Sequence, residues 1–357
     1  MTVSIRRSVA GLPRYVAGKS AGRDIDAYKL SSNENPYPPL PGVLEATARA
    51  CARLNRYPDM ANSAVTAAVA DRLSVHPAQL AFGAGSVAVL YSLLQAVCEP
   101  GDEVIFAWRS FEAYPIAVQL TGATPVPVAL GAGAVHDLAA MRAAVNQATR
   151  AILLCTPNNP TGPALGHDAV INFVDSLSED ILIVLDEAYV EFITDPRAVH
   201  GFDVLSGRMN VAVLRTFSKA YGLAGLRIGY GVMEPELAAA VRTTSLPFGV
   251  SNVASAAAIA SLAAEDELMV RVAALIKARG ELAQGLLDLA FDVPDAQGNF
   301  VWLAAGPLTA DYARAFTAGG IAVRPFVAGD AGDGIRITVG EPEANDRVIA
   351  IAKTLPR

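Results

Sequence analysis

Ile181-Leu182-Ile183-Val184-Leu185-Asp186-Glu187-Ala188-Tyr189 decides how this chain is read. Five apolar residues with no polar alternation describe a strand buried on both faces, and such strands belong to parallel sheets covered by helices. The run stops abruptly on two acids. Outward from it the same pattern recurs: residues 79–82 lead into Gly83-Ala84-Gly85-Ser86 and a helical stretch through Cys98. Residues 103–107 lead into Trp108 and polar neighbours, residues 151–155 into a Pro/Asn turn, and residues 211–214 into Arg215. Each time the chemically capable residues follow the apolar run. They therefore fall at the carboxyl ends of strands, the edge at which open α/β sheets bind ligands.

The chain has 357 residues, 52% hydrophobic and 18% charged, which excludes disorder and allows a sizeable core. A formal net charge of −7, with no run of Lys or Arg, argues against nucleic acid as a partner. No apolar stretch approaches the roughly 18–20 residues that span a bilayer, so membrane insertion is not expected. Arg6-Arg7 followed by Ser8-Val9-Ala10 faintly resembles an export signal, but Pro13 and Arg14 interrupt it, and a cytoplasmic protein is expected. Cys51, Cys98 and Cys155 are far apart and odd in number, and read as buried thiols. His76, His136, His167 and His200 lack metal-ligand spacing, so no metal is expected.

From about residue 251 the character changes to an Ala-rich helix over residues 254–264 that continues past Lys277, followed by candidate strands at 300–303, 321–324 and 335–339. The expected division is an N-terminal arm (1–40) packing with a small α+β domain (251–357), and a large domain (41–250) with a mostly parallel sheet covered by helices.

Arg215-Thr216-Phe217-Ser218-Lys219-Ala220-Tyr221-Gly222-Leu223-Ala224-Gly225-Leu226-Arg227 carries the most chemistry. A lysine just beyond a strand, flanked by hydroxyls and followed by an arginine, offers an amine to a carbonyl cofactor and donors to a phosphate. Read alone, it is more simply a solvated loop lysine. Asp186 closes a buried strand, where an unpaired charge costs several kcal/mol. A pyridinium nitrogen would supply its partner, and a role as a helix N-cap carboxylate stays open beside it. Thr156-Pro157-Asn158-Asn159-Pro160-Thr161-Gly162 is a turn whose Asn side chain, like Tyr189, could donate to a phenolate oxygen. Gly83-Ala84-Gly85-Ser86 lacks the third glycine of a dinucleotide fingerprint, since Ala88 stands there. The amides of Ser86 and Val87 at a helix start suit a single phosphate better.

Taken together, Asn33-Glu34-Asn35-Pro36-Tyr37, Arg56-Tyr57-Pro58-Asp59, Thr156 to Gly162, Asp186 to Tyr189, Ser218 to Arg227 and Gly334-Ile335-Arg336-Ile337-Thr338-Val339 resemble the successive motifs of fold-type I pyridoxal-5′-phosphate (PLP) aminotransferases. Within these they resemble the histidinol-phosphate aminotransferase group, in order and over nearly the whole chain. The resemblance implies that Lys219 holds PLP as a Schiff base, that Asp186 pairs with the pyridine nitrogen, and that Asn159 and Tyr189 bind the phenolate oxygen. It places Gly85, Ser86, Val87, Thr216, Ser218 and Arg227 around the phosphate and Phe111 against the ring. Tyr57 would reach the phosphate in a neighbouring subunit, which implies a homodimer. Arg336 would receive the substrate's acidic group, with Arg324, Asn33 and Tyr15 as further candidates for that pocket.

Two departures bear on the substrate. Val87-Ala88 stands where the histidinol-phosphate group typically carries Asp-Glu, and Trp108-Arg109-Ser110-Phe111-Glu112-Ala113-Tyr114-Pro115 where it usually has Pro-Thr-Tyr. Both look like the aromatic (phenylalanine-type) branch. Trp108, Phe111, Tyr15 and Tyr37 could face an aromatic side chain. The expectation is ping-pong transfer of an amino group from phenylalanine or tyrosine to 2-oxoglutarate. Histidinol phosphate as donor is the nearest alternative, followed by a phosphothreonine-type PLP decarboxylase and a PLP-binding protein without turnover.

Overall fold

A computed structural model describes residues 3–12, 18, 27–328 and 332–356. Its main sheet has seven strands: β1 (Leu80–Gly83), β2 (Glu103–Trp108), β3 (Thr124–Ala129), β4 (Thr149–Cys155), β5 (Leu182–Asp186), β6 (Val211–Thr216) and β7 (Gly229–Met233), in the spatial order β1-β7-β6-β5-β4-β2-β3. β7 alone runs against the others, pairing antiparallel with both β1 and β6.

The apolar runs become central strands because side chains alternate across the pleat and both faces are covered. Ala151, Leu153, Leu182 and Val184 pack on one face under helices Ser86–Val97, Ala113–Thr121 and Pro235–Thr244. Ile152, Leu154, Ile183 and Leu185 pack on the other with Val170, Phe173 and Val204 from helices His167–Asp175 and Gly201–Leu205. The same alternation decides where the acids after β5 point. Asp186 shares the face of Val184, whereas Glu187 turns to the opposite one, accepts from the Gly201 amide at 2.5 Å and pairs with Arg215 at 2.8 Å.

Two strands escape the simple pattern. Thr124-Pro125-Val126-Pro127-Val128-Ala129 carries two prolines, tolerable because β3 is the sheet edge. β7 is rich in glycine, and its Gly229 lies opposite both Gly83 and Thr216.

A second, three-stranded antiparallel sheet orders Arg324–Phe326, Gly334–Thr338 and Phe300–Ala304. The expected single strand at 321–324 is divided: Ile321–Ala322 pairs with Tyr28–Lys29, and Arg324–Phe326 joins this sheet. The expected continuous helix is also divided, into Asn252–Ala263 and Glu265–Asp288, with Ala264 leaving helical geometry (φ −111°, ψ 24°). Glu265, Asp266 and Glu267 then fill the first turn of the second helix, where acids complement the exposed amides. Among the described residues, no helix is long and apolar enough to cross a membrane. Cys98 and Cys155 are buried as expected, but Cys51 is exposed on the last turn of Pro41–Cys51.

A Cβ on Gly229 would lie 2.3 Å from the Ser86 nitrogen and 2.9 Å from the Arg215 carbonyl, so the packing of β7 against β6 and the Gly85–Ser86 turn requires glycine. Gly229→Ala is expected to cost about 2 kcal/mol or more. Gly280→Ala, in the helix Glu265–Asp288 with nothing within 4 Å of the new Cβ, should instead stabilise by about 0.5–1 kcal/mol. Chemical denaturation of the two variants beside the parent checks both signs.

Candidate active site

At the carboxyl edge of the parallel strands lies a cavity of about 220 Å³, bounded on its far side by the small antiparallel sheet. The loops after β1, β2, β4, β5 and β6 all reach it, through Ser86, Phe111, Asn159, Tyr189 and Lys219 respectively. Arg227 arrives differently. Because β7 is antiparallel, the residues before it lie at the same edge as those after its neighbours, and Arg227 lies two positions before the first residue of β7.

Asp186 is 7% exposed, and its Oδ2 accepts a 2.8 Å hydrogen bond from the hydroxyl of fully buried Tyr114. Its Oδ1 is buried and, among the described residues, has no hydrogen-bond partner. Burial pushes this carboxyl up to about 6, opposed chiefly by the Tyr114 hydrogen bond. A cation or N–H donor set against Oδ1 would satisfy the orphan oxygen and favour the ionised form.

Lys219 Nζ donates to the carbonyls of Ser32 (3.1 Å) and Asn33 (3.2 Å) and sits 5.6 Å from the centre of the Tyr189 ring. Burial first, then the Arg336 charge, lowers its amine to about 7. A large fraction is thereby neutral and nucleophilic near neutral pH.

Gly85, Ser86, Val87, Thr216, Ser218 and Arg227 line one end of the cavity. Ser86 opens a twelve-residue helix whose first amides have no intrahelical acceptor. Gly85 adopts φ +84°, and a Cβ there would come within 2.6 Å of an Arg227 nitrogen, so only glycine lets the guanidinium lie over this turn. Arg227 itself holds a left-handed backbone (φ 55°), a strain of about 1–2 kcal/mol. Its guanidinium donates to Ser218 Oγ at 3.3 Å and to the Ala224 carbonyl at 2.9 Å. Amides, hydroxyls and one guanidinium facing a common space form an anion cradle.

The opposite end is built from the small sheet. Arg336 donates to Asn159 Oδ1 at 2.5 Å and to the Ser31 carbonyl at 2.7 Å. Arg324 stands across the ladder from it and pairs with Glu112, and Phe326 lies beneath both guanidiniums, 5.5 Å from that of Arg324 and 5.8 Å from that of Arg336. Phe111 completes the wall.

Three residues expected to meet the substrate do not line this cavity. Trp108 turns its ring onto Phe106 (6.1 Å) and under Arg109 (5.6 Å). Tyr37 lies at the surface under Arg271, 5.7 Å away. Asn33 is buried behind the site, where its amide donates to the Tyr189 hydroxyl at 2.9 Å and its carbonyl accepts from Lys219. It supports the two residues instead of facing a ligand. Tyr57 is 82% exposed and packs on Phe248 (4.8 Å), away from the cavity of its own chain. Tyr15 lies outside the described residues.

Sequence reasoning missed Tyr114, Glu112, Ser110 and Phe326. Tyr114 reads as one more apolar-face residue of a helix, and only the fold sets its hydroxyl on Asp186. Ser110 donates to Asn158 Oδ1 at 2.8 Å, and Asn158 donates in turn to the Arg109 carbonyl (3.0 Å) and to Thr161 (2.7 Å). This network fixes the turn that presents Asn159. His136 completes it 3.2 Å from Asn158 Oδ1, with burial holding its imidazole down to about 4.

Comparison with known proteins agrees with this geometry. The profile of aminotransferase class I and II matches residues 25–351. Aromatic amino acid aminotransferases from Streptomyces avermitilis and Thermobifida fusca are 52% and 49% identical, over 98% and 99% of this chain and 96% and 97% of their own lengths. Among solved structures, the histidinol-phosphate aminotransferase of Sinorhizobium meliloti, determined with pyridoxal 5′-phosphate, superposes with a TM-score of 0.89 at 31% identity over 99% of this chain and 97% of that one. An aspartate aminotransferase from Thermus thermophilus, at 22% identity with a TM-score of 0.84 over 99% of both chains, shares the fold. With the profile spanning most of the sequence and relatives this similar along almost all of it, the chain belongs to the class I and II aminotransferases.

Proposed function

We propose that the protein transfers the amino group of an aromatic amino acid, phenylalanine or tyrosine, to 2-oxoglutarate by a ping-pong mechanism with pyridoxal 5′-phosphate. The carrying observation is that one cavity joins a buried lysine and an acid with an orphan oxygen to an anion cradle at one end and an arginine–phenylalanine wall at the other. The residues fit the cofactor. Gly85, Ser86, Val87, Thr216, Ser218 and Arg227 would hold its phosphate, Asp186 Oδ1 its ring nitrogen, Asn159 and Tyr189 its phenolate oxygen, and Phe111 would lie against its ring.

When bound, the cofactor supplies an electron sink for the charge left at the substrate's Cα and carries the amino group between donor and acceptor. Lys219 provides the amine that anchors it and, once free, takes the proton from the Cα of the donor and, in the second half-reaction, delivers one to the Cα of the acceptor. Its depressed basicity suits that exchange near neutral pH. Arg336, a planar fork of donors, orients the carboxylate of either substrate. Phe111 and Phe326 offer an apolar surface to an aromatic side chain. The relatives named as aromatic amino acid aminotransferases support the substrate class. The second arginine, Arg324, is the observation that favours histidinol phosphate as a rival donor.

A homodimer is part of the same reading. Leu54, Tyr57, Met60, Leu246 and Phe248 are exposed apolar side chains around neighbouring surface clefts, with Tyr57 free to reach a second subunit. The strand pairing of Tyr28–Lys29 with Ile321–Ala322 supports grouping an arm of residues 1–40 with a small domain of 251–357, apart from a large domain of 41–250. The free cysteines fit a cytoplasmic setting.

Comparing kcat/KM for phenylalanine, tyrosine and histidinol phosphate with 2-oxoglutarate tests the assignment. The aromatic amino acids should lead, and a preference for histidinol phosphate overturns it. Arg336→Ala should lower kcat/KM for phenylalanine by roughly a hundredfold while leaving the cofactor's absorption spectrum in place. Equal loss of both contradicts its role. Tyr114→Phe removes the donor to Asp186 Oδ2, and spectroscopic titration of apoenzyme with pyridoxal 5′-phosphate should show affinity weaker by about tenfold.

A further inference from the structure

The substrate end of the cavity contains a carboxylate. Glu112, the residue just before helix Ala113–Thr121, lines the cavity and pairs with an Arg324 Nη across 212 residues of sequence. Arg324 and Arg336 are register partners on adjacent antiparallel strands, and both guanidiniums lie over the Phe326 ring. A ligand group reaching Arg336 therefore also meets Arg324 and the acid that holds it. Arg336 donates to the uncharged oxygens of Asn159 and Ser31, and Arg324 pairs with the Glu112 carboxylate. The Arg324 side chain is 10% exposed and that of Glu112 32%, so water screens the pair only in part.

An amino acid brings one negative charge to this end and two oxygens, which one guanidinium binds in a bidentate fork. A phosphate ester brings nearly two charges and three acceptor oxygens at neutral pH, and needs a second cation. Arg324 is the residue placed to serve, yet recruiting it breaks its pair and leaves the Glu112 carboxylate facing the incoming dianion. We propose that Glu112 is a specificity-determining residue: its pairing with Arg324 admits a carboxylate and disfavours a phosphate ester at the acidic end of the substrate. Discrimination of this kind works through repulsion of the wrong substrate as much as attraction of the right one. The inference rests on the assignment of Arg336 to the substrate's acidic group and deepens the aromatic reading.

Histidine and histidinol phosphate make a matched pair for the test, since they share a ring and differ at the acidic end. The readout is the ratio of their kcat/KM values on the holoenzyme with 2-oxoglutarate. Glu112→Gln, nearly isosteric, should raise the ratio of histidinol phosphate to histidine by roughly tenfold to a hundredfold. Glu112→Asp keeps the charge and should stay close to the parent. Adding Arg324→Gln to Glu112→Gln should abolish the gain, because the released arginine is what the phosphate uses. Arg324→Gln alone leaves the acid without its partner and should push the ratio below that of the parent, which keeps the idea testable if the Glu112 variants fold poorly.

Equal shifts in the Gln and Asp variants mark a merely structural role and overturn the proposal. So does a gain that survives loss of Arg324, or a rise in the Arg324→Gln variant alone. A parent enzyme that prefers phenylalanine, combined with a flat ratio in Glu112→Gln, sinks this inference and leaves the aromatic assignment standing. A parent that prefers histidinol phosphate to phenylalanine sinks both.

Discussion

A carboxylate buried at the end of a central strand, with one oxygen satisfied and the other bare, is the constraint around which this site is organised. β5 carries Asp186 out of a core in which Ile183, Val184 and Leu185 are wholly inaccessible. Tyr114 holds one oxygen, and among the described residues the other has no hydrogen-bond partner. Leaving a buried acid half-satisfied costs about 1–3 kcal/mol or more, a cost that persists only where a ligand removes it. A ring nitrogen carrying a proton is such a ligand. Under the proposed assignment it would set the ring between the anion cradle and the lysine.

The remaining groups converge because of strand direction. Parallel strands send their following loops to one edge, so Ser86, Asn159, Tyr189 and Lys219 meet there although they are scattered along the chain. The reversed β7 adds a residue from its amino-terminal side, which brings Arg227 over the first turn of helix Ser86–Val97. Close approach is possible because Gly85 and Gly229 have no side chains. A methyl group at either would strike Arg227 or the Ser86 amide.

Electrostatics divide the cavity into two ends. Toward the main sheet lie the lowered amine of Lys219 and a cradle of amides, hydroxyls and the Arg227 guanidinium, a set suited to an anionic group. Toward the small sheet, phenylalanines alternate with arginines, and each arginine has its own set of acceptors. Aromatic faces let guanidiniums lie flat in a confined space while retaining their charge. The wall thus combines an apolar surface for a ring with a fork for an acid, as a substrate bearing both requires.

The sequence by itself determined the central strands, since uninterrupted apolar runs such as residues 181–185 can be satisfied only between two covered faces. It also placed Asp186 at the end of a strand and Lys219 and Asn159 shortly beyond one, because the residues after such a run leave the sheet, while Arg227 was marked only by its place after the lysine. The strand at 124–129 stayed hidden behind its prolines, and the break at Ala264 behind a run of good helix formers. What only the tertiary structure decided are meetings between distant segments: Tyr114 with Asp186, 72 residues apart, Glu112 with Arg324, and Phe326 beneath two guanidiniums. It also turned Trp108 and Tyr37 away from the cavity. Periodicity reports which face a residue presents to its own element, whereas contact across elements depends on strand order and helix placement, which no local pattern encodes.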